Sequence, residues 1–557
     1  MKNSIFPDYC PNTPTHTFKI VDHLSVQVTE TANPFSLPVS ALFSMAARIN
    51  KKRSFLFVSK VLGKHIPVDP YTPLLTGAAL GLLLYRRQWE SLKEVEAARM
   101  QGSLYAAEAA SGQEQAGGQA ELAGQAGDAG NARNVRNARE ASAEAPGPAT
   151  DHSHSGVTLG EAEERLAEAA RLLETAVRGL SQPEFAREAY TELAGAKLVL
   201  PEPVLFIGYA ETATALGHSM FRLFHDGAAY IHTTREDIPE LSSAISFEEE
   251  HSHAVDHLCY TLDPELLSGG EPVVLVDDEI TTGNTVVNTI RDMQSKFPRS
   301  DYVVASILDW RTGANREAYA ALEQELGIRI ASLCLLEGSI EVSGTPLLEA
   351  SAAPYATSSA APAAAGEAAG SAGRASAPVN LSLLQDGMDR LHVSSRDSLG
   401  EINAAPYIRG SGRFGIRSGD NEELDLAASA VARRLQALRE GGPALVLGTG
   451  EFMYLPMRIA AAMGEGVSYQ STTRSPIYPV DKPGYGVASA AAYPSASDPG
   501  IVNYLYNIAP DQYDDIFVLL EREVPIPRIQ PMLDVLDKLA GRRVHVIMLG
   551  GGPGKEE

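Results

Sequence analysis

The stretch Val273-Val274-Leu275-Val276-Asp277-Asp278-Glu279-Ile280-Thr281-Thr282-Gly283-Asn284-Thr285 decides how this chain is read. Four consecutive aliphatic residues predict a strand buried on both faces, the kind a parallel sheet uses. Two adjacent carboxylates, Asp277 and Asp278, stand at its end. A loop of hydroxyls with one glycine follows, and then Val286, Val287, Ile290 and Met293 fall at helical spacing. Such a loop presents backbone N–H groups and threonine hydroxyls at a helix N-terminus, which suits a phosphate. The carboxylate pair before it suits ribose hydroxyls and a hydrated Mg²⁺.

Apolar runs at Pro203–Ile207, Ala228–His232, Pro272–Val276 and Tyr302–Leu308 alternate with periodic or turn-rich segments. That alternation predicts an α/β fold, a parallel sheet with flanking helices, with ligands bound at the carboxyl ends of the strands. Leu205–Thr212 repeats the strand–turn–helix pattern. Gly208 lets the backbone approach a ligand, and Thr212 is placed to cap the helix that follows.

Outside these motifs, composition sets limits. The 557 residues carry 46 Lys+Arg against 70 Asp+Glu, a net charge of −24. That balance argues against non-specific binding to nucleic acid or an anionic membrane, both of which need clustered cations. Cys10, Cys259 and Cys334 are odd in number and far apart, which does not make a disulfide framework. The early residues do not read as a signal peptide, and the expected compartment is the cytoplasm. The longest apolar run, Pro73 to Tyr85, is too short for a span of about 20 residues and predicts a buried helix.

Residues 101–150 are mostly Ala, Gly, Gln, Asn and Glu and predict a disordered or loosely helical insert, set within a low-complexity span taken as 96–159. Residues 160–195 predict an amphipathic helix packed on a neighbouring domain. Residues 351–378 hold 13 Ala in 28 positions, a linker assigned to 349–378. The folded parts are then a domain over 16–348 and a second over 379–553. Glu248-Glu249-Glu250-His251-Ser252-His253, with His257, has no standard metal-ligand spacing and reads as a solvated loop in which His251 or His253 meets substrate.

The Val273–Thr285 stretch resembles the signature of the type I phosphoribosyltransferases: four apolar residues, two acids, two variable residues and T-T-G-x-T. The resemblance implies a fold and a set of roles. Asp277 and Asp278 would hold the ribose hydroxyls of phosphoribosyl pyrophosphate (PRPP) and the Mg²⁺. Thr281, Thr282, Gly283, Asn284 and Thr285 would wrap the 5′-phosphate. The turn with Gly208, Tyr209, Glu211 and Thr212 would take the pyrophosphate. Arg235, in Thr233-Thr234-Arg235, would sit in the catalytic loop and neutralise the leaving group, and Glu279 would add negative charge near ribose C1.

Arg48–Pro67 is similar in pattern to the hood of orotate phosphoribosyltransferases, making Ser59, Lys60, Lys64 and His65 candidates for base contact. The first loop position is Thr281, where 6-oxopurine enzymes of this family have Asp, so the resemblance implies an orotate-like or unusual base. Ser471-Thr472-Thr473-Arg474-Ser475-Pro476 resembles the TRSP domain found fused to this orotate-like family. Its members tend to sit in tellurium-resistance and stress gene clusters, linked to a nucleotide-like metabolite.

The two halves also share a pattern. Leu205–Glu211 matches Leu445–Glu451, and Tyr230–Ile238 matches Tyr469–Ile477. His257-x-x-Tyr260 matches Asn503-x-x-Tyr506, and Val274–Glu279 matches Val518–Glu523. Gly208 precedes Thr233 by 25 residues and Gly448 precedes Thr472 by 24. Four anchors in one order predict a duplication whose second copy is degenerate. Pro525-Ile526-Pro527-Arg528-Ile529 stands where the first copy has its phosphate loop, and proline has no N–H to offer. One chain would then form an intramolecular pseudo-dimer in which Arg474 completes the first active site.

The expected activity is transfer of the 5-phosphoribosyl group from PRPP to a small nitrogenous base, with release of pyrophosphate. The alternative is a sensor that binds PRPP without turnover.

Overall fold

In the computed structural model, Val273–Val276 is a fully buried strand, and a sheet extends from it on both sides. The structure describes residues 14–21, 23–48, 53–120, 157–247, 257–344, 356–357 and 388–550, with backbone alone at 101–120, 356–357 and 540–541. The readings on Glu248–His253, on Lys51 and Lys52, on 121–156 and on nearly all of the Ala-rich linker fall outside them.

The first half contains β1 (Thr15–Val21), β2 (Leu24–Ala32), β3 (Phe43–Arg48), β4 (Phe55–Ser59), α1 (Tyr71–Ala120) and α2 (Leu159–Ser181). It continues with β5 (Leu198–Gly208), α3 (Ala213–Arg222), β6 (Phe224–His232), β7 (Ile245–Phe247) and β8 (His257–Cys259). It ends with β9 (Val273–Val276), α4 (Asn284–Lys296), β10 (Asp301–Asp309), α5 (Gly313–Leu326) and β11 (Arg329–Gly344). The main sheet runs β1-β2-β11-β10-β9-β5-β6. Its five strands from β11 to β6 are parallel, and β1 and β2 are antiparallel additions. Each of the four apolar runs in the sequence lies in one of the parallel strands. Pro73–Tyr85 lies within α1, and Leu74, Leu75, Leu80, Leu82 and Tyr85 are almost completely buried. Each such side chain contributes roughly 1.5–3 kcal/mol of burial. Among the described residues no helix is long and apolar enough to cross a membrane.

The second half adds β12 (Ile416–Arg417), α6 (Asn421–Leu438), β13 (Ala444–Gly448), α7 (Tyr454–Ala462), β14 (Val467–Ser471) and β15 (Ile477–Tyr478). It closes with β16 (Ala490–Pro494), β17 (Val502–Tyr506), β18 (Tyr513–Leu520), α8 (Ile526–Leu536) and β19 (Ala540–Met548). Its sheet runs β14-β13-β18-β19, all parallel, the same order and direction as β6-β5-β9-β10. The hairpins correspond too, β7–β8 with β16–β17, both antiparallel.

The same hydrogen bonds recur in both copies. Thr233 N donates to Gly208 O at 2.9 Å, and Thr472 N to Gly448 O at 3.0 Å. Ala210 N donates to Thr233 Oγ1 at 2.9 Å, and Gly450 N to Thr472 Oγ1 at 3.0 Å. Tyr230 Oη donates to Thr214 O, and Tyr469 Oη to Met453 O. The second α/β sheet therefore repeats the first in topology and in its buried polar contacts.

Both sheets belong to one compact unit, Met1–Tyr85 with Arg171–Glu557. A second unit, Arg86–Ala170, holds most of α1 and the start of α2, with a Lys93–Glu163 ion pair at 3.0 Å. Within the larger unit the halves interleave. β12 pairs with β6, placing Ile416 opposite Tyr230, and β15 pairs with β3, placing Ile477 opposite Arg48.

Candidate functional site

The carboxyl ends of β5 and β9 lie side by side, with Gly208 opposite Val276. Beyond β9, the Asp277 carboxylate accepts the Asp278 N–H at 2.9 Å, while Asp278 O accepts from Ile307 N and Leu308 N on β10. The backbone is thus fixed to the sheet, and both carboxylates stay partly exposed. Gly283 precedes α4 with φ +81°, a conformation that favours glycine. An added Cβ there would also lie 2.5 Å from Tyr319 Oη. Thr281, Thr282, Asn284 and Thr285 are partly exposed around it, and Asn284 N donates to Thr282 Oγ1 at 3.3 Å. The first turn of α4 thus presents its N–H end beside two carboxylates.

Beyond β5, a Cβ on Gly208 would lie 2.6 Å from Ala213 O, so only glycine permits this turn. The Ala210–Glu211 peptide is cis. Tyr209 is buried, with its hydroxyl donating to Thr289 Oγ1 on α4 at 2.9 Å. Thr212 occupies the N-cap position of α3, but its side chain caps nothing. Its Oγ1 instead accepts from Lys64 Nζ at 2.6 Å, which corrects the expected capping role: the nearby cation is the stronger partner. Lys64 also lies 3.5 Å from Glu211 Oε2.

The other hood residues diverge from Lys64. Lys60 Nζ donates to Ser40 O at 2.8 Å, and the Ser59 hydroxyl accepts from Val61 N at 3.2 Å. His65 is buried with its ring edge-on to Tyr506, centroids 5.7 Å apart. Burial, helped by Lys64 and Arg48, holds the His65 pKa well below the usual imidazole range, so it is neutral. Arg53 lies within Arg48–Pro67, and nothing in its sequence neighbourhood marks it as a site residue. Its guanidinium meets Glu279 Oε1 at 2.5 Å and lies over the Phe55 ring at 4.8 Å. Burial raises the Glu279 carboxyl pKa against the opposing pull of Arg53. Phe57 stacks on Trp310 at 4.9 Å, and Trp310 Nε1 is buried without a hydrogen bond. Nothing in the sequence tied Trp310, at the end of β10, to the hood.

Arg235 lies at the end of β6, with one Nη 3.4 Å from His257 Nε2, while His257 Nδ1 is 3.0 Å from Thr233 Oγ1. Its backbone N–H donates to Glu451 Oε1 at 2.8 Å, and Thr234 Oγ1 donates to Glu451 Oε2 at 2.6 Å. Glu451 comes from the second half, and the contact is reciprocal. Thr473 Oγ1 donates to Glu211 Oε2 at 2.8 Å, and Arg474 N to Glu211 Oε1 at 3.3 Å. Each copy's turn glutamate therefore holds the other copy's Thr-Thr-Arg loop.

The clasp is asymmetric in one respect. Arg413, fully buried, donates to Glu451 Oε2 at 2.6 Å, to Thr234 Oγ1 at 2.5 Å and to Glu521 Oε2 at 2.9 Å. Burial opposes the charge on Glu451, but Arg413 and Arg474 bring its pKa down to about 2. Burial and Arg413 together bring His232 down to about 4. No motif surrounds Arg413 in the sequence, and its role follows only from where the chain brings it. The Arg474 side chain lines a cavity with Thr449, Gly450 and Arg522 at the strand ends of the second sheet.

For a Mg²⁺, the available donors are the carboxylate oxygens of Asp277 and Asp278, hard ligands left accessible at the strand end, and they fit such an ion. Asp309, Cys334 and Glu337 also lie within ligand reach of one another. Arg311 holds Asp309 at 2.7 Å and Arg316 holds Glu337 at 3.0 Å, which makes that group an ion-pair cluster.

A family model described as phosphoribosyl transferase matches residues 42–339, and one described as the TRSP domain C-terminal to it matches residues 410–536. No curated protein matches. Among solved structures, the adenine phosphoribosyltransferase of Giardia lamblia is 16% identical, with 28% of this chain and 83% of that one covered at a TM-score of 0.20. The Trypanosoma brucei adenine enzyme is 14% identical, covering 28% and 68% at 0.20. A hypoxanthine phosphoribosyltransferase from Staphylococcus aureus is 14% identical, covering 22% and 60% at 0.15.

Proposed function

Because the chain belongs to the phosphoribosyl transferase family, we propose that it transfers the 5-phosphoribosyl group of PRPP to a nitrogen of a small base and releases pyrophosphate. One observation carries this reading: Asp277–Thr285 and Gly208–Thr212 are neighbours at adjacent strand ends, beneath a hood that closes on Glu279 through Arg53.

In this reading the N–H groups at the start of α4, with Thr281, Thr282, Asn284 and Thr285, bind the 5′-phosphate. Asp277 and Asp278 accept the ribose hydroxyls and would hold Mg²⁺, which when bound supplies positive charge to the pyrophosphate. The turn Gly208–Thr212 and Lys64 receive the pyrophosphate. Arg235 sets its charge against the negative charge that develops on the leaving group, while the carboxylates near ribose C1, Glu279 among them, face the positive charge building on the sugar. His257 and Glu451 position Arg235. Arg474 lines the cavity at the strand ends of the second sheet and is given no step in this transfer.

The base enters under the hood. Thr281 offers no carboxyl to protonate a 6-oxopurine, and the Arg53 guanidinium stands at the hood beside Glu279, which supports an orotate-like or unusual base. The reciprocal Glu211 and Glu451 contacts support an intramolecular pseudo-dimer, in which the second copy orders the first copy's catalytic loop. The buried thiols of Cys259 and Cys334 support a reducing, cytoplasmic setting. Incubation with Mg²⁺, PRPP and a pool of bases tests the assignment. Base-dependent pyrophosphate release supports it. PRPP binding without release, seen as a melting shift, replaces it with a sensor.

A further inference from the structure

The second copy has lost its phosphate loop, yet a cavity remains at its strand ends. It lies at the ends of β13, β14 and β18, with Thr449, Arg474 and Leu520 in its lining. We propose that this cavity is a second ligand site, which takes a small phosphorylated sugar and not PRPP.

The end of the cavity that matches the first copy's ribose and phosphate groups is closed by the chain itself. Arg522, at the position matching Asp278, donates to Asn403 O at 2.5 Å and Ala405 O at 2.8 Å, and also bonds the Ser395 hydroxyl. Arg528, at the position matching Asn284, donates to Asp397 Oδ2 at 2.8 Å. A carboxylate of residues 395–405 therefore meets the helix start where a 5′-phosphate would bind, and Pro525 and Pro527 remove N–H donors there. PRPP has no room to bind as it would in the first copy.

Elsewhere in the lining, two polar side chains lack hydrogen-bond partners. Arg474 is one, and among the described residues its guanidinium makes no hydrogen bond or ion pair. Asn503 is 7% exposed, and its Oδ1 has no hydrogen-bond partner. A buried acceptor without a donor carries a desolvation penalty of about 1–3 kcal/mol, which a ligand hydroxyl would relieve. Phe452, Leu520 and Met532 give an apolar wall for a carbon skeleton. An anion for Arg474, a hydroxyl for Asn503 and a C–H face for the wall together describe a sugar phosphate.

Charge argues for one phosphate over two. The lining contains Arg413, Arg474 and Arg522 against Glu236, Glu451 and Glu521. Arg413 is committed to Glu451 and Glu521, and Arg522 to backbone carbonyls. The three arginines and three glutamates of the lining balance one another, and Arg474 is the one whose guanidinium makes no hydrogen bond or ion pair among the described residues, so one added anion has a cation to meet and a second has none. This inference rests on the duplication and not on which base the first site uses.

The test titrates ribose 5-phosphate into the full chain by calorimetry, in a background carrying Asp277→Asn and Asp278→Asn so that the first site is disabled. Binding in that background, weakened about tenfold or more by Arg474→Ala and also reduced by Asn503→Leu, supports the proposal. Circular dichroism confirms that each variant is folded, and Arg474→Lys, which keeps the charge, should recover part of the binding. Three results overturn it: no binding in the Asp277→Asn, Asp278→Asn background, binding insensitive to Arg474→Ala and Asn503→Leu, or tighter binding of pyrophosphate than of ribose 5-phosphate. Failure here leaves PRPP binding at Asp277 and Asp278 intact, so it is distinguishable from failure of the transferase reading.

Discussion

Replacing Glu451 with Gln tests the asymmetry of the clasp between the two copies. The Glu451 carboxylate accepts from Arg413 at 2.6 Å, Thr234 at 2.6 Å and Arg235 N at 2.8 Å, and Arg413 is fully buried. Removing one partner of a buried pair costs about 3–5 kcal/mol when the other charge is stranded. Arg413 keeps Glu521 at 2.9 Å, so the expected loss lies at the low end, about 3 kcal/mol.

Glu211 holds the equivalent loop without a buried arginine. Its partners are Thr473 at 2.8 Å, Arg474 N at 3.3 Å and the more distant Lys64 at 3.5 Å. Glu211→Gln should therefore cost about 1–2 kcal/mol. Urea unfolding of both variants, followed by circular dichroism, reads the difference. Glu451→Gln should also slow pyrophosphate release, because its NH2 must face donors, either Arg413 and Thr234 or the Arg235 N–H, and the loop that carries Arg235 is loosened. If Glu211→Gln destabilises as much as Glu451→Gln, Arg413 does not govern the clasp.

Gly283→Ala forces a side chain into φ +81° and within 2.5 Å of Tyr319 Oη, so PRPP affinity should fall at least about tenfold; unchanged affinity in a binding assay would remove the phosphate loop from the account. His232 is neutral in the fold with a pKa of about 4 against 6.5 when free. The unfolded chain therefore takes up that proton first: this stability is complete above pH 6.5 and is lost, on the order of 3 kcal/mol, as pH falls to about 4. Glu451, down at about 2 from 4.5, extends the loss below pH 4.5. Urea midpoints from pH 7 to 4 should drop accordingly, and His232→Gln should flatten the upper part of the curve. Arg53→Ala should leave PRPP binding in place and raise the KM for the base, read from initial rates against base concentration.

Much of this was legible in the sequence because strand-ends-then-loop motifs are local. Val273–Thr285 carries its strand, its acids and its glycine in consecutive residues, and their geometry follows from that order. The repeat was legible because its anchors are spaced alike in both halves. Its physical meaning was not, because the crossing of Glu211 and Glu451 is a long-range contact that no spacing encodes. Arg413 shows the limit most plainly: it lies outside every motif, yet it is fully buried at the centre of the clasp. Thr212 shows another: its position predicted a cap, and a lysine about 150 residues away in sequence competes successfully for its hydroxyl. The hood residues Lys60, Lys64 and His65 are close in sequence but point to three different environments, since the chain turns sharply at Gly63, where φ is +70°.

If Asp277–Thr285 is the chain's PRPP site and the second copy has none, each chain binds PRPP once. Calorimetric titration of PRPP with Mg²⁺ tests it most directly. The expected result is one PRPP bound per chain, lost in the Asp277→Asn, Asp278→Asn variant and kept in Arg474→Ala. Two bound per chain, or binding that survives loss of both aspartates, would contradict it.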